Sequence, residues 1–156
     1  MSTKLSFQTS STSSEQTEAL AEKMGRALKG GEVIELASDL GGGKTTFVRG
    51  LARGAGSKDK VASPTFTISK VYQTDTFEID HFDFYRLSDP GIVANELAEV
   101  AGDSQVVAVV EWGDVVRGVL PDKRLQVRIE QTPDGSRTLL FSAPQELQHL
   151  IEAVKQ

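Results

Sequence analysis

Cysteine is absent from all 156 residues, which excludes disulfides and thiolate metal sites and suits a reducing compartment such as the cytoplasm. Positive charge is in short supply, with 17 lysines and arginines against 22 aspartates and glutamates and a formal net charge of -5. A surface of that sign repels phosphate backbones, so direct binding to bulk nucleic acid is not expected. Long hydrophobic stretches are missing too. The longest apolar run is Val106 to Val110, far short of the ~20 residues that cross a bilayer. The serine- and threonine-rich N-terminus lacks the apolar core of a signal peptide, so neither membrane attachment nor export is expected. No internal repeat occurs, and nothing reads N-K-x-D, the usual guanine-reading sequence.

The chemistry is concentrated in one stretch. Glu32 to Phe47 reads Glu-Val-Ile-Glu-Leu-Ala-Ser-Asp-Leu-Gly-Gly-Gly-Lys-Thr-Thr-Phe, a β-branched and apolar strand followed by glycines, a lysine–threonine pair and a helix. That is the order of a phosphate-binding loop, G-x-x-x-x-G-K-[ST], with Ser38 at its first position. Serine cannot take the positive-φ angles open to glycine at low cost, so the turn should leave the strand differently. Gly41, Gly42 and Gly43 let the backbone approach a polyphosphate with its N–H groups turned inward, and a helix starting near Lys44 aims its positive end at the same charge. Lys44 would reach the outer phosphates, Thr45 would offer its hydroxyl to a magnesium ion, and Thr46 continues the nucleotide-lining run. The expected ligands are ATP and Mg2+.

The length fits one domain with a real core. Residues 1–11 are mostly small and polar and read as a flexible segment, with Leu5 and Phe7 in a short edge strand at most; residues 12–156 form the domain. Thr12-Ser13-Ser14-Glu15 has capping-box spacing and opens a helix whose Ala19, Leu20, Met24, Ala27 and Leu28 share a face, ended by Gly30-Gly31. Lys44, Arg49, Arg53, Lys58 and Lys60 form a basic run, read as a solvated helix face, and Gly54 to Lys60 reads as a linker. Thr65 to Tyr72 and Thr76 to Tyr85 read as an antiparallel hairpin, and Ile92 to Val100 as a short acidic helix. Val106 to Val110 has the continuous apolar character of a strand buried on both faces of a parallel sheet. Arg124 to Glu130 and Arg137 to Ser142 flank Pro133-Asp134-Gly135 as a second hairpin, and Pro144 to Val154 closes the chain as a helix with Leu147, Leu150, Ile151 and Val154 inward. The sum is an α/β fold, a single P-loop NTPase-like domain with a mixed sheet flanked by helices.

A phosphate loop needs an acidic partner near the end of a neighbouring strand, to hold the metal directly or through water. Two carboxylates qualify. Glu111 follows the most hydrophobic strand, which would deliver it to the sheet edge where ligands bind. Asp83 shares a strand face with His81 by period-two alternation. His81 itself reads as a structural, hydrogen-bonding histidine, and Trp112 as either a core residue or a neighbour of the nucleotide.

Taken in order, Gly41-Gly42-Gly43-Lys44-Thr45-Thr46, Ser63-Pro64-Thr65-Phe66, His81-Phe82-Asp83-Phe84-Tyr85-Arg86-Leu87 and Glu111-Trp112 resemble the TsaE family, formerly YjeE. These are small bacterial ATPases required for threonylcarbamoyladenosine modification of tRNA. The likeness spans most of residues 12 to 142. It implies a slow, magnesium-dependent ATPase in which Thr45 and Glu111 form the magnesium site, Asp83 is the essential acidic residue, and Thr65 lies in a switch-like loop near the terminal phosphate. Lys44, Asp83 and Glu111 are then the catalytic set. The resemblance also implies TsaB and TsaD partners, which carry out the threonylcarbamoyl transfer and would stimulate hydrolysis.

Two other functions fit a domain of this size. A small-molecule phosphotransferase shares the loop but needs an arginine-rich lid, and Arg117, Arg124, Arg128 and Arg137 are scattered through the later segments. A binding switch with negligible turnover would use nucleotide only to order loops for a partner.

Overall fold

In chain order the computed structural model, which describes residues 4–38, 43–62, 69–84, 91–112, 116 and 118–156, runs β1 (Lys4–Ser11), α1 (Ser14–Ala27), β2 (Val33–Ser38), α2 (Lys44–Gly54), β3 (Ser69–Gln73), β4 (Glu78–Asp83), α3 (Gly91–Val100), β5 (Val106–Glu111), β6 (Leu125–Gln131), β7 (Arg137–Pro144) and α4 (Gln148–Lys155). A 3-10 turn at Gln145–Leu147 leads into α4. The described strands make one seven-stranded sheet in the order β1-β7-β6-β2-β5-β4-β3. β4, β5, β2 and β6 run parallel at its centre, while β3, β7 and β1 join antiparallel at the flanks. The mixed α/β architecture and both expected hairpins are therefore present. All four parallel strands end at one edge, and from β2 the chain crosses first to the β5 side and later to the β6 side. Such a reversal opens a crevice outside the strand ends.

β5 is buried along its whole length because both faces of the sheet are covered there. On one face Ile34, Leu36, Val107 and Val109 pack under α1, α2 and α4 through Met24, Phe47, Leu51 and Ile151. On the other, Val33, Phe82, Ala108 and Val110 meet Leu97 of α3. No helix among the described residues is long and apolar enough to cross a membrane.

Four local expectations need correction. Residues 4–11 are not a flexible segment: β1 pairs with β7 from Lys4↔Pro144 to Ser11↔Arg137. Two apolar residues suffice for this strand because alternation turns Leu5 and Phe7 to the core, where the Phe7 and Phe141 rings stack with centroids 6.3 Å apart. The cap of α1 lies one residue later than the Thr12–Glu15 spacing implies. Ser13 Oγ accepts from Gln16 N at 3.1 Å, and Gln16 Oε1 accepts from Thr12 N at 2.7 Å, so Gln16 performs the reciprocal role assigned to Glu15. On α1, Met24 and Leu28 are buried and Leu20 and Ala27 pack against the core as expected, but Ala19 is exposed, and Thr17, Ala21 and Gly25 are buried as well.

The stripe extends to Thr17 and Gly25 because α1 and α2 touch backbone to backbone. A Cβ on Gly50 would lie 2.3 Å from the Glu18 carbonyl oxygen, one on Gly54 2.1 Å from that of Glu22, and one on Gly25 2.2 Å from that of Leu51. Gly54 is thus the last residue of α2 and a packing element, not the start of a linker. The same approach brings charges together. Arg53 pairs with Glu22 at 3.1 Å and Arg49 with Glu18 at 3.7 Å, so this part of the basic run is matched by an acidic face on α1.

A second carboxylate fastens the turn that launches β2. Glu32, buried, accepts from Lys29 N and Gly30 N, each at 2.8 Å, and meets His149 Nε2 of α4 at 2.8 Å. One side chain thereby satisfies two backbone N–H donors of the turn after α1 and ties that turn to α4.

Asp80 is a buried acid with a different consequence. It is 6 % exposed, and among the described residues its Oδ1 has no hydrogen-bond partner. Burial, then the hydrogen bond and charge of Glu78, then Asp103, push its pKa up from 3.8 to about 7. Between those two values the folded chain keeps a proton that the unfolded chain has lost, so this group's stabilising contribution is full below pH 3.8 and fades as pH rises to about 7. Asp80→Asn should therefore raise the melting midpoint more at pH 8 than at pH 5. Melts of both proteins at the two values check this, and equal differences at each pH would contradict it.

Candidate functional site at the carboxyl edge of the sheet

β2, β5 and β4 end side by side. Glu111 is in register with Leu36 of β2 and with Asp83 of β4, so the two carboxylates occupy neighbouring strands, ~4.8 Å being the usual strand spacing. Both stand on the face covered by α1 and α2, since Leu36 and Val109 on that face belong to the core beneath those helices. Glu111 is 2 % exposed, and Asp83 is half-buried. Period-two alternation anticipates the shared face of Asp83 and His81; the β4–β5 register adds Glu111 to it.

Gly43, at φ 102°, caps the start of α2. This left-handed conformation is one that glycine adopts without strain, and it turns the chain into the helix that begins with Lys44, Thr45 and Thr46. Gly41, Gly42 and Thr65 lie outside the described residues. Lys44 is 8 % exposed. Its ammonium donates to the Ser38 carbonyl at 3.3 Å and lies 4.5 Å from the centre of the Trp112 ring. Thr45 and Thr46 are half-buried in the first turn. The start of a helix with a left-handed glycine before it presents backbone donors and a positive dipole end, a ready seat for an anion.

Trp112 bridges the two halves of this edge. It follows Glu111 directly and takes φ 58°, an uncommon conformation for a bulky residue, of the kind that costs ~1–3 kcal/mol and persists where surrounding contacts impose it. The turn swings the indole out of the line of β5 so that one side packs on the α3 core and the ring meets Lys44. Of the two roles left open by its sequence context, Trp112 takes the packing one, and its ring also meets Lys44.

The hairpin joining β6 and β7 reaches the same edge. A Cβ on Gly43 would lie 3.5 Å from Nε of Arg137, so a guanidinium flanks the glycine turn on the side away from Glu111. Sequence reading grouped Arg137 with scattered arginines; only the pairing of β6 with β2 brings it here. Within the hairpin, hydrogen bonds from Ser136 and Thr132 hold Asp134 down at about 2. Arg124 is committed elsewhere, donating to Glu35 at 2.9 Å and to the Pro121 carbonyl at 2.9 Å. A cleft of about 930 Å³ extends from Lys44 and Trp112 past Glu35 and Arg128 to Ser6 and Gln8.

Beneath Glu111 lies a polar chain whose full extent the sequence reading missed. Glu111 Oε2 bonds Nε2 of His81, whose Nδ1 meets the Tyr72 hydroxyl at 3.1 Å, and that hydroxyl donates to the Ala62 carbonyl at 3.0 Å. Burial, partly offset by the Ala62 bond and reinforced by the Glu111 charge, holds the Tyr72 pKa above its usual 10.0. Tyr72 is opposite Ile79, which puts it on the diagonal to His81 on the same face. The hairpin register was the signal that could have found it.

Comparison with known proteins agrees with the fold and with the motif resemblance. The model of the family described as threonylcarbamoyl adenosine biosynthesis protein TsaE matches residues 11–139. The tRNA threonylcarbamoyladenosine biosynthesis protein TsaE of Bacillus subtilis is 38% identical over 133 residues, which cover 83% of this chain and 80% of that protein. The protein of the same name from Aquifex aeolicus is 38% identical over 127 residues, covering 75% and 90%. The crystal structure of Bacillus subtilis YdiB is similar with a TM-score of 0.75 at 32% identity, covering 99% of this chain and 96% of that one. With the family model matched across most of its length and relatives of this identity alongside, the chain belongs to the TsaE family.

Proposed function

We propose that this chain binds ATP with magnesium where β2, β4 and β5 end, hydrolyses it slowly alone, and supports threonylcarbamoyladenosine modification of tRNA through TsaB and TsaD partners that accelerate the hydrolysis. The observation that carries the reading is the meeting of the Gly43–Lys44 helix start with two carboxylates in register, Asp83 and Glu111. The donor chemistry fits the metal. A threonine hydroxyl and carboxylates are hard oxygen ligands, and magnesium takes one or two protein carboxylates and fills its remaining positions with phosphate oxygens and water. When bound, magnesium supplies positive charge shared among the phosphate oxygens.

The chain's own residues then divide the work. The first turn of α2 directs backbone donors at the phosphates, and Lys44 leaves the Trp112 ring to neutralise the outer ones. Thr45 and Glu111 hold the metal, Glu111 directly or through a water. Asp83, alongside it, orients the attacking water. A metabolite kinase would need several arginines ready to close over an acceptor; Arg124 is held by Glu35, and Arg137 stands beside Gly43.

Two substitutions separate the carboxylates. Glu111→Gln should raise the magnesium concentration required for tight ADP binding, because an amide attracts the cation less. Asp83→Asn should leave that requirement near wild type and slow phosphate release. Calorimetry across a magnesium series, with single-turnover hydrolysis, tests both; the opposite pattern would exchange the roles. Phosphate release with and without purified TsaB and TsaD tests the larger claim. Equal rates in both conditions, or phosphate transfer to a small molecule, would sink it.

A further inference from the structure

Beneath Glu111 the protein buries two polar side chains where an apolar pair would pack equally well. His81 is 0 % exposed and Tyr72 1 %. Polar groups so placed are costly unless every one is satisfied, and a partly satisfied network is worse than hydrocarbon. Here the chain is closed from end to end. The Ala62 carbonyl accepts from Tyr72, the Tyr72 oxygen then accepts from Nδ1–H of His81, and Nε2 meets Glu111 Oε2. The direction of the Tyr72–Ala62 bond sets that of the His81–Tyr72 bond. The tilted Tyr72 and His81 rings, 5.9 Å between centroids, leave the imidazole little room to turn.

We infer that His81 and Tyr72 are positioning residues for Glu111: His81 fixes the orientation of the carboxylate through Oε2, and Tyr72, anchored on the Ala62 carbonyl, fixes the imidazole. The inference rests on Glu111 serving the magnesium–nucleotide site. Its physical basis is that a ligating carboxylate held by an outer hydrogen bond presents its lone pairs in one direction, and loss of such a partner typically weakens metal affinity ~10–100-fold. A flexible glutamate would have to be ordered anew at each binding event. A histidine present only for packing would tolerate any substitute of similar volume.

Paired amide substitutions test this, because they replace one ring nitrogen each. In His81→Gln the amide nitrogen can stand where Nε2 was and still donate to Glu111; in His81→Asn it stands nearer the place of Nδ1 and cannot. Tyr72→Phe removes the hydroxyl while keeping the ring. ADP binding is measured by calorimetry over a magnesium series and again in EDTA, beside the melting midpoint of each free protein. The expected result is a magnesium midpoint ~10-fold higher or more in His81→Asn, near wild type in His81→Gln, and raised less in Tyr72→Phe, with metal-free ADP binding unchanged. Equal midpoints for the two His81 variants, or a lowered melting midpoint with no change in magnesium dependence, would overturn the positioning role and leave a structural one. Glu111→Gln in the same series keeps the two claims apart. If it shifts the magnesium midpoint and His81→Asn does not, the positioning role alone fails; if it shifts nothing, the magnesium reading of Glu111 falls and takes the positioning role with it.

Discussion

Lys44→Ala is expected to weaken ATP and ADP binding by on the order of 10- to 100-fold, the equivalent of a charge-assisted contact of roughly 1.5–3 kcal/mol. Lys44 is 8 % exposed, so its side chain is largely ordered before nucleotide arrives and little entropy is lost on binding. What it gives up is modest. The ammonium holds a 3.3 Å bond to the Ser38 carbonyl and a place over the Trp112 ring, and a cation–π contact is worth about 0.5–2 kcal/mol depending on exposure. A phosphate oxygen replaces these with a full opposite charge. The chain has a single tryptophan, so its fluorescence reports this exchange. Nucleotide should change the Trp112 emission of the wild type, while Lys44→Ala should start from an altered emission and respond weakly. Unchanged affinity in calorimetry would remove Lys44 from the site.

Much of this site was legible because its signals are local. Val106 to Val110 could only be an interior strand, and the residue after such a strand emerges at an edge, which is how Glu111 was placed. Glycines before a Lys–Thr pair announce a turn into a helix whatever the surroundings. Period two put Asp83 and His81 on one face before any pairing was known. The remainder depended on partners distant in sequence. Arg137 stands beside Gly43 only because β6 lies against β2. Tyr72 reaches His81 only through the β3–β4 register. β1 carries too few apolar residues to announce itself, and its order comes from pairing with β7 at the far end of the chain.

What the reading of the α1 face left out has one cause. Helical periodicity ranks residues by hydrophobicity, which favours Ala19 over Thr17 and Gly25, yet part of the packed face is the part that lets a second backbone approach. Small residues win there because dispersion between two main chains at close range rewards the absence of a side chain. Thr17 belongs on that face because its hydroxyl is satisfied by Ser11 Oγ at 2.7 Å. A glycine within a helix normally reads as a weakness of about 1 kcal/mol. In α2 it is the price of contact, and the sign of a substitution depends on which effect is larger.

Overpacking should prevail. Gly50→Ala and Gly54→Ala each place a Cβ less than 2.5 Å from a carbonyl oxygen of α1, at 2.3 Å from Glu18 and 2.1 Å from Glu22. A backbone oxygen cannot rotate away as a side chain would, so the helices must part. Forcing a methyl into a filled contact costs typically 1–3 kcal/mol, against a helix-propensity gain of at most ~1 kcal/mol at Gly50 and less at Gly54, the last residue of the helix. Each variant should lose stability, with midpoints falling by ~2–4 °C per kcal/mol for a chain of this size. The double variant should lose less than the sum, because helices already pushed apart by one methyl admit the second cheaply. The effect reaches function through α2, whose first residues are Lys44 and Thr45: a shift of the helix tilts the anion seat, so ADP affinity should fall along with the melting midpoint in both single variants. A higher midpoint in either would show that α1 and α2 do not meet at this distance, and a lower midpoint with unchanged ADP affinity would show that the helix start is held by β2 independently of α1.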